Sequence, residues 1–496
     1  MRNAKARRRF VLTQSLIAAG LVTAVAGSLG SGACTVFDTE PVLSPDASAG
    51  SSGSGGSGGT SPIEGPWWQK KNEQGCVTAG FPRPEDRPAP GLDGPDEPEF
   101  FMNMEHIRLG ATAPPSEDLA NHLSLDFNSW KDIGLDVDGK CTLSATCGSE
   151  ASPVEERYCP SPPGQGRGDG SNCRDNAVGT TIKTSYEALT TSTHFAVNEE
   201  DWNCELHRGG FGVLFRIRNY NGQPDDPQVT LDVYNHMGLT ALQRPWCRFL
   251  VNSSGVPVDD ISRDIYPYWR NQPKWDDTRA GWRVATSNWN PGDDTFGPNV
   301  LPNSKTHTEQ AYVREGYLVA HLPPSTMVGM IGKYTAIPGF RLIVERGVLV
   351  GQLLKDPFSR LWTLKNGVLG GAIDPDTMLQ GFRWIGYCPN NMCGSYRGVD
   401  IVLRGAADIY LDPTRPPSTD PSQPCDGMSI GLALEATQAR GAEFSKEEDP
   451  LLTECPEPRH PTPPRQACTC PDGGSVPNCP GGDGGTDAGD DAGEGG

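Results

Sequence analysis

The chain has 496 residues and a formal charge of −20, with 60 glycines, 45 prolines and 15 cysteines. So much glycine and proline argues against a helical bundle, and so acidic a chain repels phosphate backbones, which excludes nucleic acid as a partner. The cysteines lack the paired CxxC spacing of a zinc site, and behind an export signal they read as disulfides.

That signal comes first. Residues 1–33 carry five basic residues within the first nine, then an apolar run from Phe10 to Ala26 and small residues. This is the pattern of a cleaved secretory signal, and Arg7-Arg8-Arg9-Phe10 also suits the twin-arginine route. A run of about 17 residues containing Thr13, Gln14 and Ser15 is short of the ~20 that span a bilayer. Ala24-Val25-Ala26 offers a signal-peptidase site. Ser31-Gly32-Ala33-Cys34 instead resembles a lipobox with Ser31 where Leu is usual, which would make Cys34 the lipidated first residue. Acylating Cys34 leaves 14 cysteines, enough for seven bridges, and loss of the leader takes the charge to −25.

Residues 34–65 then form a Gly/Ser linker with too little apolar content to repay the entropy of ordering. A body follows over 66–442. Its strand signals are FFMNMEHIRL (100–109), GVLFRIRN (212–219), QVTLDVYN (228–235), EGYLVAHL (315–322), FRLIVERGVLVGQL (340–353), GVDIVLRG (398–405) and SIGLALEAT (429–437). DPDTMLQGFRWIG reads as a helix, with Pro375 in its first turn and Met378, Leu379, Phe382 and Ile385 on one face. Many strands with one or two short helices predict a mainly β protein, an antiparallel β-sandwich of jelly-roll or concanavalin-like type with disordered ends. Cysteines cluster at Cys141, Cys147, Cys159 and Cys173 in an insertion near 140–175, at Cys388 and Cys393, and at Cys455, Cys468, Cys470 and Cys479. The last group lies in a Pro/Cys-rich extension, 443–479, ahead of a Gly/Asp tail over 480–496.

Within the body, LDVDGKC places Asp136 and Asp138 before Gly139, like the middle of an EF-hand loop. The first ligand position would be Gly134 and the twelfth Ala145, so the loop is incomplete. A tight turn accounts for the motif, and calcium requires a second oxygen-rich loop to meet it.

FGVLFRIRNYNGQPDDPQVTLDVYNH (211–236) poses a register question. A two-residue turn at Asn221-Gly222 would set Ile217 against Asp226 and Phe215 against Gln228, apolar beside polar. Shifting the register to the other parity sets Phe215 against Leu231, Val213 against Val233 and Ile217 against Val229. Burial overrules turn preference, so the hairpin should close through a longer loop, about Tyr220 to Asp226. Tyr220, Asn221, Asp225 and Asp226 would then offer an exposed ring, an amide and two carboxylates to calcium or a sugar, or simply make a surface loop. Downstream, YPYWRNQPKWDDTRAGWRVATSNWNPGDD carries Trp269, Trp275, Trp282 and Trp289. Exposed, these rings would stack on a glycan; buried, they would cap the core.

Catalytic signals are weaker. Gly427-Met428-Ser429-Ile430-Gly431 matches GxSxG but precedes a strand pattern, whereas a nucleophile elbow needs a helix there. ADIYLDP offers Asp408 and Asp412, without the ExDxxE strand of sandwich glycosidases.

GLDVDGKC, CRDNAVG, GGFGVLFRIRNYNGQPDDPQVTLDV, GAADIYLDP and PCDGMSIGLALEA, in this order, resemble segments of a group of secreted lipoproteins typical of myxobacteria. The resemblance spans roughly residues 130–440. It implies a shared fold and an envelope location and supplies no catalytic residue; a fainter likeness to laminin-G and concanavalin sandwiches is architectural only. The expectation is an exported, lipid-anchored protein of the outer membrane or cell surface. It would bind a glycan or an envelope protein without catalysis, with a carbohydrate-active hydrolase or a purely structural component as alternatives.

Overall fold

The computed structural model describes residues 66–71, 77–91, 94–110, 128–140, 159–160, 169–182, 199–207, 209–239, 281–290, 292, 301–330, 340–384, 393–439 and 443–448. The signal, Cys34, the linker, Trp269, Trp275 and the acidic tail lie outside them. In chain order the strands are β1 (Lys70–Lys71), β2 (Val77–Thr78), β3 (Phe100–Arg108), β4 (Gly212–Arg218), β5 (Asp226–Leu239), β6 (Trp282–Ala285) and β7 (Thr306–Arg314). They continue as β8 (Tyr317–His321), β9 (Thr326–Met330), β10 (Phe340–Lys355), β11 (Trp362–Ile373), β12 (Met428–Ala439) and β13 (Phe444–Glu447). Among the described residues, helices include α1 (Glu199–His207), α2 (Pro375–Trp384) and α3 (Cys393–Gly405), and residues 177–182 are helical as well.

Alternation decides which side chains meet. Val213, Phe215 and Ile217 on β4 point the same way as Val229, Leu231 and Val233 on β5, and all join one large buried cluster. The partners run β5-β4-β3-β12-β11-β10-β8-β7, each pair antiparallel. β7 then pairs back onto β5, Val233 opposite Thr306 and Asp226 opposite Val313, and the eight strands close into a barrel. The mainly β, antiparallel expectation therefore holds, but a single closed ring replaces the two facing sheets of a sandwich. β5 makes the difference: its 14 residues are long enough to pair with β4 on one side and with both β6 and β7 on the other.

An eight-stranded barrel is just wide enough for its own side chains to fill, and this one is filled. A residual apolar void of about 10 Å³, bordered by Met104, Val213, Phe215 and Leu432, is below the size of a ligand. At one end Phe100 stacks on Trp362 with centroids 5.8 Å apart, and Tyr220 meets the same ring edge-on at 5.2 Å. Trp202 and Leu206 of α1, Met378 and Leu379 of α2 and Val399 and Leu403 of α3 join the same core at the other. Outside the ring, β6 and β13 cover Leu214 and Tyr234 with Trp282, Trp289 and Phe444. Because β13 pairs with β6, ordered strand runs past residue 442.

The hairpin avoids the Asn221-Gly222 turn, as expected, and the connecting loop is 219–225. The faces are those expected, but the register lies two residues further along: Phe215 pairs with Val233 and Ile217 with Leu231. The start of β5 overhangs β4 and pairs with β7 instead. GVDIVLRG is a correction, since it forms most of α3. Its buried side chains, Val399 and Leu403, stand four residues apart as on one helix face, while Ile401 is left 44% exposed. The local cysteine clusters also understate the reach of the bridges. Cys159 pairs with Cys425, 266 residues away, beside Ala407 and Tyr410.

Candidate metal centre

The EF-hand-like stretch lies on the flank of the barrel, and a second acidic loop does meet it. Leu135 bridges Asp175, whose N–H donates to the Leu135 carbonyl at 2.9 Å. The Asp136 N–H donates to the Gly80 carbonyl at 3.1 Å, fixing the segment from its other side. Two residues on, the Lys140 N–H donates to Asp138 Oδ1 at 2.7 Å, closing an Asx turn. Asp175 is 2% exposed, and its Oδ2 accepts from the N–H groups of Val137 at 2.6 Å and Asp138 at 3.1 Å. One carboxylate oxygen each from Asp136, Asp138 and Asp175 then falls within 4.8 Å of the other two.

The electrostatics of this cluster are unfavourable without a cation. Two like charges about 4 Å apart repel by roughly 4 kcal/mol at an effective dielectric of 20. Burial, then the Asp169 charge, pushes Asp136 up to about 7. Burial and neighbouring carboxylates hold Asp138 and Asp175 well above the usual carboxylate range. Burial takes Asp408 to about 7 as well, against the lowering effect of its bonds from Ser429. Asp136 Oδ1 is buried and has no hydrogen-bond partner among the described residues. Hard oxygens so spaced fit calcium: two ligands opposite each other at about 2.4 Å from the ion would be about 4.8 Å apart. Asp175 was missed as a ligand because it lies 37 residues beyond Asp138. CRDNAVG itself carries no spacing that ties Asp175 to LDVDGKC.

The loop residues have other work. Tyr220 is buried rather than exposed, its hydroxyl donating to the Gln223 carbonyl at 3.0 Å. Asn221 Oδ1 accepts from the Gln223 N–H, and Asp226 accepts from the N–H groups of Asn221 and Gln228. Asp225 Oδ1 accepts from the Glu315 N–H in the β7–β8 turn. These polar groups brace one barrel rim, as in the ordinary-loop alternative. Trp282 and Trp289 are 1% and 4% exposed, so the described part of the aromatic strip caps the core.

Ser429 is fully buried within β12. Its hydroxyl donates to Asp408 and accepts from the Ala177 N–H at 2.9 Å, which is no nucleophile elbow. Asp412 instead faces out, capping Thr414, so the ADIYLDP carboxylates do not act together. Glu105 and Glu435, on adjacent strands, share the Lys365 ammonium, and Thr437 donates to Glu105; this is an ion triad on the sheet surface. Buried His236 is held neutral, at about 3, with Nε2 2.8 Å from Asn103 Oδ1. Comparison with family models, with curated proteins and with solved structures finds no match to this chain.

Proposed function

We propose that the chain is an exported, lipid-anchored envelope protein whose barrel is a non-catalytic scaffold braced by calcium at Asp136, Asp138 and Asp175. One observation carries the calcium reading. Three carboxylates from two segments converge within 4.8 Å, and one of their oxygens, Asp136 Oδ1, is buried without a partner among the described residues. A hard divalent ion supplies the missing partner and neutralises the repulsion. The melting temperature in millimolar calcium should exceed that in EGTA by several degrees. Asp175→Asn keeps an acceptor for the Val137 and Asp138 amides but removes a charge, so it should abolish the difference. Identical melting of the unsubstituted protein in calcium and in EGTA would remove the reading.

The envelope reading is supported by the leader, by Cys34 and by the linker behind it. A lumen filled by its own side chains leaves ligand contact to the outer surface and rims, which suits a module that holds a glycan or an envelope protein. Fatty-acid labelling of the chain in a bacterial host should vanish in Cys34→Ser; labelling that persists would refute the anchor. A glycan array probed with calcium and with EGTA tests the sugar half of the reading, which binding under neither condition would remove.

A further inference from the structure

We propose that the β10–β11 hairpin is a membrane contact, with the Phe358 ring seated among the acyl chains of the bilayer that holds the anchor, so that the barrel stands on this rim. The inference rests on the lipid-anchor reading above and adds an orientation to it.

Among the described residues the large apolar side chains left exposed are Leu354, Phe358 and Ile401, and two of the three lie on this hairpin. Phe358, at its tip, is 93% exposed. A tight turn holds the ring there. The Asp356 N–H donates to the Leu361 carbonyl and the Arg360 N–H to the Asp356 carbonyl, both at 2.9 Å. Asp356 Oδ1 also accepts from the N–H groups of Phe358 at 2.9 Å and Ser359 at 2.6 Å. With these backbone groups satisfied inside the turn, the tip keeps one shape and presents the phenyl ring to whatever lies beyond the rim.

The chain enters the barrel from its anchor at the same end. The Trp67 indole N–H donates to the Arg314 carbonyl at 3.3 Å, and the Arg314 guanidinium lies over the Trp67 ring at 4.4 Å. Arg314 faces Tyr317 across the β7–β8 turn, where the Gly316 carbonyl accepts from the Leu353 N–H at 2.9 Å. Phe358 follows Leu353 around the hairpin, so the tip projects beyond the point of entry. The opposite end is covered by α2 and α3. A Gly/Ser chain the length of residues 34–65 reaches about 30 Å, whereas the 16 tilted residues of β10 span roughly 40 Å of barrel height. The leash therefore favours the entry end at the bilayer. One ring adsorbs weakly by itself, but a tether makes its contact intramolecular, at an effective concentration on the order of millimolar. Charges beside the hairpin are paired, Lys355 with Glu97 at 2.8 Å and Arg314 with Glu315 at 4.0 Å. Contact thus rests on the apolar ring, and neutral lipid suffices.

The test places the full acylated chain in phosphatidylcholine vesicles whose acyl chains carry bromine, a contact quencher of tryptophan emission. Phe358→Trp and Ile401→Trp each add a ring at an exposed position, one at either end of the barrel, and melting curves that match the unsubstituted protein verify their folds. The emission that Phe358→Trp adds should fall at least twofold in brominated against plain vesicles, also in 0.5 M sodium chloride, while that added by Ile401→Trp stays unchanged. Chains that float with the vesicles but show no quenching at position 358 would overturn the contact and leave the anchor standing. Equal quenching at 358 and 401 would overturn the orientation. A ring at 358 shielded from aqueous acrylamide yet untouched by bromine would mean that a protein covers it, which also overturns the lipid contact. Failure of the acylated chain to float at all would remove the anchor and this inference together.

Discussion

Replacing Asp232 by Ala should lower the unfolding free energy by about 3–5 kcal/mol, read from urea denaturation midpoints, the cost of stripping one partner from a buried ion pair. Asp232 lies on the outer face of β5, yet its side chain is fully buried because residues 301–305 cross over it. Arg218 Nη2 reaches its Oδ2 at 2.8 Å, and His307 Nδ1 and the Ser304 N–H reach Oδ1 at 2.8 and 3.1 Å. Asp232 and His307 are direct partners in the β5–β7 register, the seam that closes the ring. Alanine would take the carboxylate from the Arg218 guanidinium, leaving it Asn303 Oδ1 at 3.1 Å and an Nε without a partner among the described residues, and would orphan a buried amide at the seam. Asp232→Asn keeps an acceptor and should lose clearly less. Glu85→Ala is the contrast: its 3.7 Å pair with Arg83 has side chains 62% and 68% exposed, and the midpoint should not move measurably. Equal losses at Glu85 and Asp232 would mean that the seam carries no special weight.

The seam also marks the limit of what the sequence could tell. Faces were legible because period-two alternation in β4 and β5 admits only one parity for burial. Register was not: β5 overhangs β4 by pairing Val229 with Ala311 of β7, a contact 82 residues away that no local pattern encodes. β11 was missed for a related reason. The glycines of NGVLGG blunt any strand signal, but Gly370 and Gly371 are small because Leu135 and Val344 lie against them. In α3, Val399, Ile401 and Val402 favour strand by residue type, and eight residues are too few to separate a period of two from one of 3.6. The candidate site divides the same way. Asp136 and Asp138 announce themselves in one motif; Asp175 becomes a neighbour of that motif only through the fold.

Acidity should separate the calcium-free and calcium-loaded protein in opposite directions. Asp136 and Asp408 sit at about 7 in the folded, metal-free chain, above the usual carboxylate range near 4. A carboxyl raised by folding binds its proton more tightly in the native state, so its contribution to stability is complete below about pH 4 and is lost as the pH climbs through 7. In EGTA, stability should therefore fall between pH 5 and pH 8. For a single group held near 7 rather than 4 the loss is at most roughly 4 kcal/mol, and residual solvent contact reduces it. Calcium needs Asp136, Asp138 and Asp175 deprotonated, so its affinity rises as these carboxyls lose their protons. The gap in melting temperature between calcium and EGTA should be small at pH 5 and widest near pH 8. With calcium at a hundred times its dissociation constant, the ion adds about 2.7 kcal/mol, on the order of 3–4 °C for a body of roughly 375 residues. Simple screening of a protein with charge −20 predicts instead that sodium chloride at matched ionic strength reproduces the gap, and that Asp175→Asn leaves it intact. A gap that sodium cannot supply, that opens as the carboxyls lose their protons, and that closes in Asp175→Asn requires a specific site. A gap of equal size at pH 5 and pH 8 would mean that these aspartates are not the ligands.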